Sequence, residues 1–406
     1  MAALRTRAGL YWRLFRSAAE NPRFHWFVLR NKAWETMARR LGRGDLPGTE
    51  TFHPVKLDLR IVYACNLRCK MCGQWGDTGT YFDYDPARLK TRLSLEVIER
   101  IADELVPHGL RYVDMEGGET FLHPDIIGIL RALKARGLFV KPVTNGTRLD
   151  RFAREIVESR IDAIHVSVDG DREAHNHVRG ADWAYDRTLD GLRALVEERK
   201  RAGRHTPLIQ VNFTMTRHNR ASSLRRLCED LAGRGLVDVI SVKASPIWMP
   251  EEKGRAYEQL LERHFGIRGG VESWKGFVED YGDFGDEARE IVATIRDVQA
   301  RGYDFLVDAL PSIDLERDLP RMYTDYGWDL GRSHCPIPHL EPTIEADGNV
   351  YPCNLFTDAP LSMGNVNERP FLDIWFGEKY QAFRKMLHEE GGLLPICNRC
   401  CQLTES

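Results

Sequence analysis

Short runs of apolar and β-branched residues alternate with longer amphipathic stretches from Leu57 to Ala244. The short runs have the length and composition of β-strands, and the longer ones repeat apolar positions at helical spacing. The predicted strands are Leu57–Tyr63, Tyr112–Glu116, Val140–Thr144, Ala163–Val168, Ile209–Met215 and Val237–Val242. The first predicted helix begins near Ser94, a suitable N-cap. The other predicted helices cover about Asp125–Arg136, Asp150–Glu158, Tyr185–Arg201 and Arg220–Gly233.

Strands that alternate with helices in this way predict an α/β fold with a parallel sheet and right-handed crossovers. Ligands of such folds bind at the carboxyl ends of the strands. The polar motifs of this chain follow its predicted strands. We therefore place the functional site at that edge of a domain spanning residues 56–248.

Three other segments complete the predicted organisation. Residues 1–55 are rich in arginine with interleaved aromatic residues, which favours a basic helical arm packed on the main domain over a contact with a membrane surface. Residues 249–332 are charged and aromatic-rich, and we interpret them as a helical linker with a substrate-facing insertion. Residues 333–406 form a cysteine-bearing C-terminal module.

The composition narrows the function classes. A formal net charge of −3 gives no reason to expect nucleic-acid binding, and no apolar run reaches the roughly 20 residues that span a bilayer. Eight of the nine cysteines fall into two groups, with Cys228 alone between them. Without a secretory signal this clustering indicates metal ligands in a reducing cytoplasm. Cys228 lies among leucines at helical spacing and is predicted to be a small buried hydrophobe.

The first cysteine group has the spacing C-x3-C-x2-C and consists of Cys65, Cys69 and Cys72, after the first predicted strand. Three thiolates can ligate three irons of a cubane cluster, and full ligation takes four cysteines. No fourth cysteine is near, so one iron would stay open to another ligand. Zinc is the alternative, but this spacing without a close histidine is poor for a closed tetrahedral site.

A loop of this kind on the first strand of a βα array resembles the radical S-adenosylmethionine (SAM) superfamily. The resemblance implies a partial (β/α)6 barrel and a [4Fe–4S] cluster whose open iron is chelated by SAM. Reductive cleavage of SAM would give a 5′-deoxyadenosyl radical that abstracts a hydrogen atom from the substrate. Met71 stands where the family often has an aromatic residue.

The motif Gly117-Gly118-Glu119 after the second strand resembles the family's GGE motif. Its glycines permit close backbone approach, and Glu119 would accept from the ammonium group of SAM. By the same resemblance, the cofactor or substrate site would include Asn145, Ser167, Arg179 and Asn212. Turn, capping and surface roles are the structural alternatives for these residues.

The second cysteine group consists of Cys335, Cys353, Cys397 and Cys400, together with Cys401, which directly follows the last of these. Asp347-Gly348 predicts a hairpin turn just before the second of them. By spacing alone, zinc and iron–sulfur ligation are equally supported. The surrounding sequence resembles the SPASM/twitch appendage of radical SAM enzymes, in its shorter one-cluster form. We assign the first four of these cysteines to one fully ligated auxiliary [4Fe–4S] cluster, and we prefer Cys400 over the adjacent Cys401 as the last ligand.

The leading hypothesis is a cytoplasmic enzyme that abstracts hydrogen from a small polar molecule of the sugar, aminocyclitol or nucleoside type. The twitch resemblance favours net oxidation with the auxiliary cluster as electron acceptor. Lys243, Asp308 and Glu341 are the candidate proton acceptors. An external donor such as flavodoxin or ferredoxin would reduce the first cluster.

Other functions remain open from the sequence. A peptide maturase that crosslinks or epimerises a ribosomal precursor would use the same initiating radical, as would epimerisation or rearrangement of a biosynthetic intermediate. Maturases often carry an N-terminal winged-helix domain, and the segment before Leu57 is short and lacks a clear strand pattern. A non-catalytic iron–sulfur or zinc scaffold is the alternative outside the enzymes.

Overall fold

A computed structural model describes residues 53–400, except 77–78, 82–83, 246, 312, 329–330 and 332–333. The predicted N-terminal arm therefore lies outside the described residues apart from positions 53–55, and so does Cys401. Among the described helices, none combines the length and the apolar character needed to cross a bilayer.

One ten-stranded sheet organises the described part of the chain. Its strands β1 to β7 are all parallel and stand in chain order, because a helical connection returns the chain each time to the start of the next strand. The strands are β1 Lys56–Arg60, β2 Tyr112–Glu116, β3 Phe139–Thr144, β4 Ala163–Ser167, β5 Leu208–Thr214, β6 Val239–Lys243, β7 Leu306–Leu310, β8 Thr343–Ile344, β9 Asn349–Tyr351 and β10 Gly364–Asn365.

The helices confirm the amphipathic pattern. Ser94 caps the first of them, since its Oγ accepts a hydrogen bond from the backbone N–H of Val97 at 3.3 Å. The α-helices are α1 Leu95–Leu105, α2 Ile126–Ala135, α3 Leu149–Ser159, α4 Arg172–Arg179, α5 Ala184–Arg201, α6 Ala221–Leu231, α7 Glu251–Phe265, α8 Gly285–Ala300, α9 Leu315–Thr324, α10 Ile337–Leu340, α11 Phe371–Trp375 and α12 Glu378–Glu389.

The two faces of the parallel sheet differ in polarity. Alternate positions such as Leu57, Val113 and Ile164 are fully buried in the main hydrophobic core, as expected for strands covered by helices. The positions between them include Asp58 and Asp114, which are acidic and also buried, and Asp114 is ion-paired with Lys141. The sheet therefore turns a charged face away from the helices.

Two features extend the predicted sheet. Strand β7 lies within the segment that the pattern predicted to be helical, and its residues are at most half-buried. Strand β8 of the C-terminal module pairs in parallel with β1, on the edge of β1 opposite to β2. The predicted hairpin is confirmed: β8 and β9 are antiparallel, and Gly348 has a φ of 87° in the turn. The C-terminal module is thus joined to the first barrel strand.

Candidate active site

A cavity of about 330 Å³ opens at the carboxyl ends of β1 to β4. Its lining includes the first cysteine group, the polar ends of the strands and the loop after Cys353. The lining residues are Arg60, Cys65, Leu67, Cys69, Cys72, Gly73, Gln74, Trp75, Thr80, Glu116, Gly117, Gly118, Val143, Thr144, Asn145, Ser167, Arg179, Phe277, Asn354, Leu355 and Thr357.

N–H donors surround the sulfurs of the first cysteine group. The backbone N–H of Leu67 lies 3.5 Å from Cys65 Sγ, and that of Trp75 lies 3.3 Å from Cys72 Sγ. The guanidinium of Arg179 lies 3.6 Å from Cys69 Sγ. Donors at this distance stabilise thiolate charge and tune iron–sulfur clusters. Three sulfurs facing one cavity, each with a donor, fit a cluster with one open iron.

Burial raises the pKa of the Cys65 thiol to about 12. It also raises the pKa of Cys69, and there the positive charge of Arg179 opposes the effect of burial. Buried thiols without metal therefore hold their protons. A metal cluster that binds them must displace these protons, so its binding is linked to pH.

The glycine pair after β2 packs directly against the start of the cysteine loop. A Cβ on Gly118 would lie 2.1 Å from the carbonyl oxygen of Ala64, and one on Gly117 would lie 2.5 Å from that of Val62. The N–H of Gly118 donates to that same Val62 carbonyl at 2.8 Å. The glycines are therefore required by contact between two loops, and both also line the cavity.

Glu119 faces the protein instead of the cavity. Its carboxylate accepts hydrogen bonds from Thr144 Oγ1 at 2.6 Å, the Asn145 N–H at 2.7 Å and the Phe121 N–H at 3.0 Å. These bonds use three of about four acceptor positions on a carboxylate. These contacts fix the loop after β3, and the expected contact between Glu119 and an ammonium group stays a prediction.

The other residues of the predicted cofactor site fall into two sets. Asn145, Ser167 and Arg179 line the cavity, as the strand-end placement predicted. Arg179 ends α4, a helix that the apolar pattern did not predict, and it forms a buried ion pair with Asp169 at 2.5 Å. Asn212 lies on β5 outside the lining, where its amide oxygen accepts from Gln210 at 2.9 Å.

The three candidate proton acceptors lie outside the lining of the cavity. Lys243 ends β6, and Asp308 is an exposed residue of β7. Glu341 forms an ion pair with Lys56 at the beginning of β1. The structure does not bring these three side chains to the first cysteine group.

Two charged residues of the cavity, Glu116 and Arg60, were not among the site residues predicted from the sequence. Glu116 and Arg60 are paired in register at the ends of β2 and β1. The Glu116 carboxylate is half-buried and makes no hydrogen bond or ion pair among the described residues. The alternation of side chains between the two faces of each strand could have indicated both residues, because residues two apart on a strand share one face.

The second cysteine group lies in the C-terminal module, with its four described thiols partly buried. The N–H of Leu355 lies 3.4 Å from Cys353 Sγ. Burial raises the pKa of the Cys397 thiol to about 12, and nearby Cys353 adds to the effect. Within the described ranges, no three His, Cys, Asp or Glu side chains gather as a single-ion metal site. The choice between Cys400 and Cys401 stays a prediction, since Cys401 is not described.

Family comparisons agree with this geometry. The family described as the Radical SAM superfamily matches residues 59–242, and an iron–sulfur cluster-binding domain termed SPASM matches residues 335–401. The first range contains Cys65, Cys69 and Cys72, and the second begins at Cys335 and contains the other three ligands assigned above.

Individual relatives are more distant. The chain is 25% identical over 361 residues to the tungsten-containing aldehyde ferredoxin oxidoreductase cofactor-modifying protein of Pyrococcus furiosus, covering 85% of this chain and 86% of that protein. It is 26% identical over 207 residues to a probable GTP 3′,8-cyclase of Sulfurisphaera tokodaii, covering 50% of this chain and 61% of that protein.

A solved structure shares the fold. Streptococcus suis SuiB bound to its precursor peptide SuiA superposes with a TM-score of 0.59 at 16% identity, covering 90% of this chain and 76% of that one.

Proposed function

The chain belongs to the radical SAM superfamily and carries a C-terminal SPASM iron–sulfur domain, and on this premise we propose that it oxidises a small polar substrate. Hydrogen-atom abstraction would start the reaction, and an auxiliary cluster held by the SPASM domain would supply the acceptor for the electron that the substrate loses. SAM bound at a reduced cluster supplies the 5′-deoxyadenosyl radical for this chemistry.

The observation that carries the proposal is that one cavity is lined both by the first cysteine group and by the loop that follows Cys353 of the second group. Its walls include the three cysteines after β1 and also Asn354 and Leu355, which directly follow Cys353. A substrate in this cavity would lie beside the radical source and beside the loop of the second cluster. Proximity of that kind favours passing an electron onward from the substrate.

Residues of this chain would divide the binding tasks. Cys65, Cys69 and Cys72 would hold the first cluster, while Asn145 and Ser167 offer polar groups to SAM from the ends of β3 and β4. Cys335, Cys353, Cys397 and Cys400 would hold one auxiliary cluster. A flavodoxin or ferredoxin would supply the electron that begins each turnover.

The remaining wall suits a small polar substrate. Gln74, Thr80 and Thr357 contribute amide and hydroxyl groups, and Phe277 contributes an aromatic surface. The name of the P. furiosus relative, which aligns over most of both chains, refers to modification of a cofactor. A sugar, aminocyclitol or nucleoside fits these features.

Oxidation also needs a proton acceptor, and Glu116 suits this role better than Lys243, Asp308 or Glu341. It lines the cavity, whereas the other three do not. A carboxylate that makes no hydrogen bond or ion pair within the described part of the chain can accept a hydrogen bond from a substrate hydroxyl or amine and then take its proton.

Size-fractionated metabolite extracts test this function. The anaerobically reconstituted and reduced enzyme is incubated with SAM and a small-molecule fraction or a peptide fraction, and both are compared by mass spectrometry. We expect a small compound to be converted to a product two hydrogens lighter, with one 5′-deoxyadenosine formed per product. Glu116→Gln should lower this conversion while sparing SAM cleavage without substrate. A product of unchanged mass, or a modified peptide instead, would contradict the proposal.

A further inference from the structure

Arg60 lies between the two cysteine groups. It ends β1, is only 7% exposed, and lines the cavity that contains Cys65, Cys69 and Cys72. Its Nη1 donates to Glu345 Oε1 at 2.7 Å and to Thr357 Oγ1 at 3.3 Å. Its Nη2 donates to the backbone carbonyl of Asn354, the residue after Cys353. One guanidinium thus fixes the loop of a second-group cysteine.

The same network continues to the first cysteine group. Glu345 accepts a second hydrogen bond, from Tyr81 Oη at 2.9 Å. The Tyr81 ring packs edge-on against Trp75, with 6.3 Å between centroids. The Trp75 backbone N–H is the donor to Cys72 Sγ. Hydrogen bonds and one ring contact therefore connect the two cysteine loops through Arg60 and Glu345.

The charges of Arg60 and Glu345 lie beside the loop of the second group. The Arg60 guanidinium donates to the backbone carbonyl of the residue after Cys353, and Glu345 pairs with the same guanidinium at 2.7 Å. A positive charge that favours a thiolate also favours an added electron on a cluster held by that thiolate. Net charge, hydrogen bonding and burial set iron–sulfur potentials. Glu345, with its opposite charge, must act in the opposite direction.

We propose that the buried Arg60–Glu345 pair sets the reduction potential of the auxiliary cluster while it fixes the Cys353 loop against the cavity. This inference rests on the proposed function, because it requires that the second cysteine group hold a cluster. Arg60 raises the potential and so favours electron uptake from the substrate. Glu345 holds Arg60 in place and limits that rise.

The test measures the auxiliary cluster alone. In a parent protein with Cys65→Ala, Cys69→Ala and Cys72→Ala, the remaining cluster is reconstituted anaerobically and its midpoint potential is measured by redox titration followed by electron paramagnetic resonance. Arg60→Gln should lower the potential, and Glu345→Gln should raise it. A tenfold change in the electron-transfer equilibrium in each direction corresponds to about 59 mV for one electron.

Arg199→Gln is the matched control. Arg199 is also a buried arginine, paired with Asp238 at 2.6 Å, but it lies on α5 and does not line the cavity. Its variant should keep the parent potential. Opposite shifts for Arg60→Gln and Glu345→Gln support the proposal, because general loosening of the fold would not shift the potential in two directions.

Two results would overturn the proposal in different ways. If the auxiliary cluster has the same midpoint potential in the parent and in Glu345→Gln, the Arg60–Glu345 pair does not set that potential. This conclusion holds even if Arg60→Gln fails to retain its cluster. A parent protein that binds no iron–sulfur cluster at all would overturn the proposed function itself, before any potentials are compared.

Discussion

Asp114 lies on β2, on the charged face of the sheet, and forms ion pairs with two lysines. Its carboxylate forms ion pairs with Lys141 at 2.8 Å and Lys56 at 3.0 Å. Burial by itself would raise the pKa of Asp114, but the two lysines outweigh burial and lower that pKa to about 2. The charge on this residue therefore stabilises the fold.

Asp114→Asn should destabilise the protein by about 2–3 kcal/mol at neutral pH, since it removes the negative charge that the partly buried Lys56 and Lys141 share. The free energy of unfolding, measured by urea denaturation, checks this. The folded-state pKa lies below the unfolded value of about 3.9. The contribution is therefore fully present above that pH and is lost as the pH falls through about 2.

Asp190→Asn provides the exposed comparison. Asp190 pairs with Arg193 at 2.6 Å, but both side chains are largely in solvent. Its loss should cost about 0–1 kcal/mol. Similar losses for the two variants would contradict the role given to the Asp114 network.

Single residues also show where prediction from the sequence ends. The sequence placed Gly117 and Gly118 in the cofactor site, and the structure shows that they also pack closely against the loop of the first cysteines. The same motif assigned its carboxylate to the cofactor, and the structure adds hydrogen bonds from the loop after β3 to Glu119. A sequence motif identifies the residue type and position, but the direction of a side chain depends on partners distant in sequence.

At the scale of elements, the loop after β2 supports the loop that carries the first cysteines. The N–H of Glu119 donates to the Ala64 carbonyl at 2.8 Å, and Ala64 directly precedes Cys65. The position of the first cysteine thus depends on a neighbouring loop that contains no cysteine.

Gly118→Ala should disrupt this contact, because the new Cβ would lie 2.1 Å and 2.3 Å from the carbonyl oxygens of Ala64 and Tyr63. Backbone atoms must move to relieve such overlap, at a typical cost of about 1–3 kcal/mol. We expect loss of iron from the first site and slower SAM cleavage, measured by iron analysis and 5′-deoxyadenosine assay. In the control Gly285→Ala the nearest atom is an ordinary 3.5 Å away. Full iron content in Gly118→Ala would contradict the contact's importance.

The strands that the sequence predicted are the ones with deeply buried apolar positions. Strand β4 was found from such residues, including Ile164 and Val166. Strand β7 was missed because its pattern is weak: Asp308 interrupts it and its other residues are only half-buried. Helix α4 was missed for a similar reason, since only His175, Val178 and Arg179 are buried along it. Edge and polar elements depend on tertiary contacts that periodicity does not contain.

In the whole molecule, the barrel and the C-terminal module form one site. Strand β8 pairs with β1, and Arg60 at the end of β1 reaches the loop after Cys353.

The reconstituted chain should hold about eight irons if each cysteine group binds one cubane cluster. Cys335→Ala with Cys353→Ala should leave about four. Iron and sulfide analysis checks both values, and an unchanged count in that variant would contradict the ligand assignment.

Formation of 5′-deoxyadenosine from SAM by the reduced, reconstituted chain is the most direct test of the central claim that radical initiation belongs to the first cysteine group. The wild-type chain should form it, and so should the Cys335→Ala, Cys353→Ala double variant. The triple variant Cys65→Ala, Cys69→Ala, Cys72→Ala should form none. No cleavage by the wild-type chain, or undiminished cleavage by the triple variant, would contradict the account.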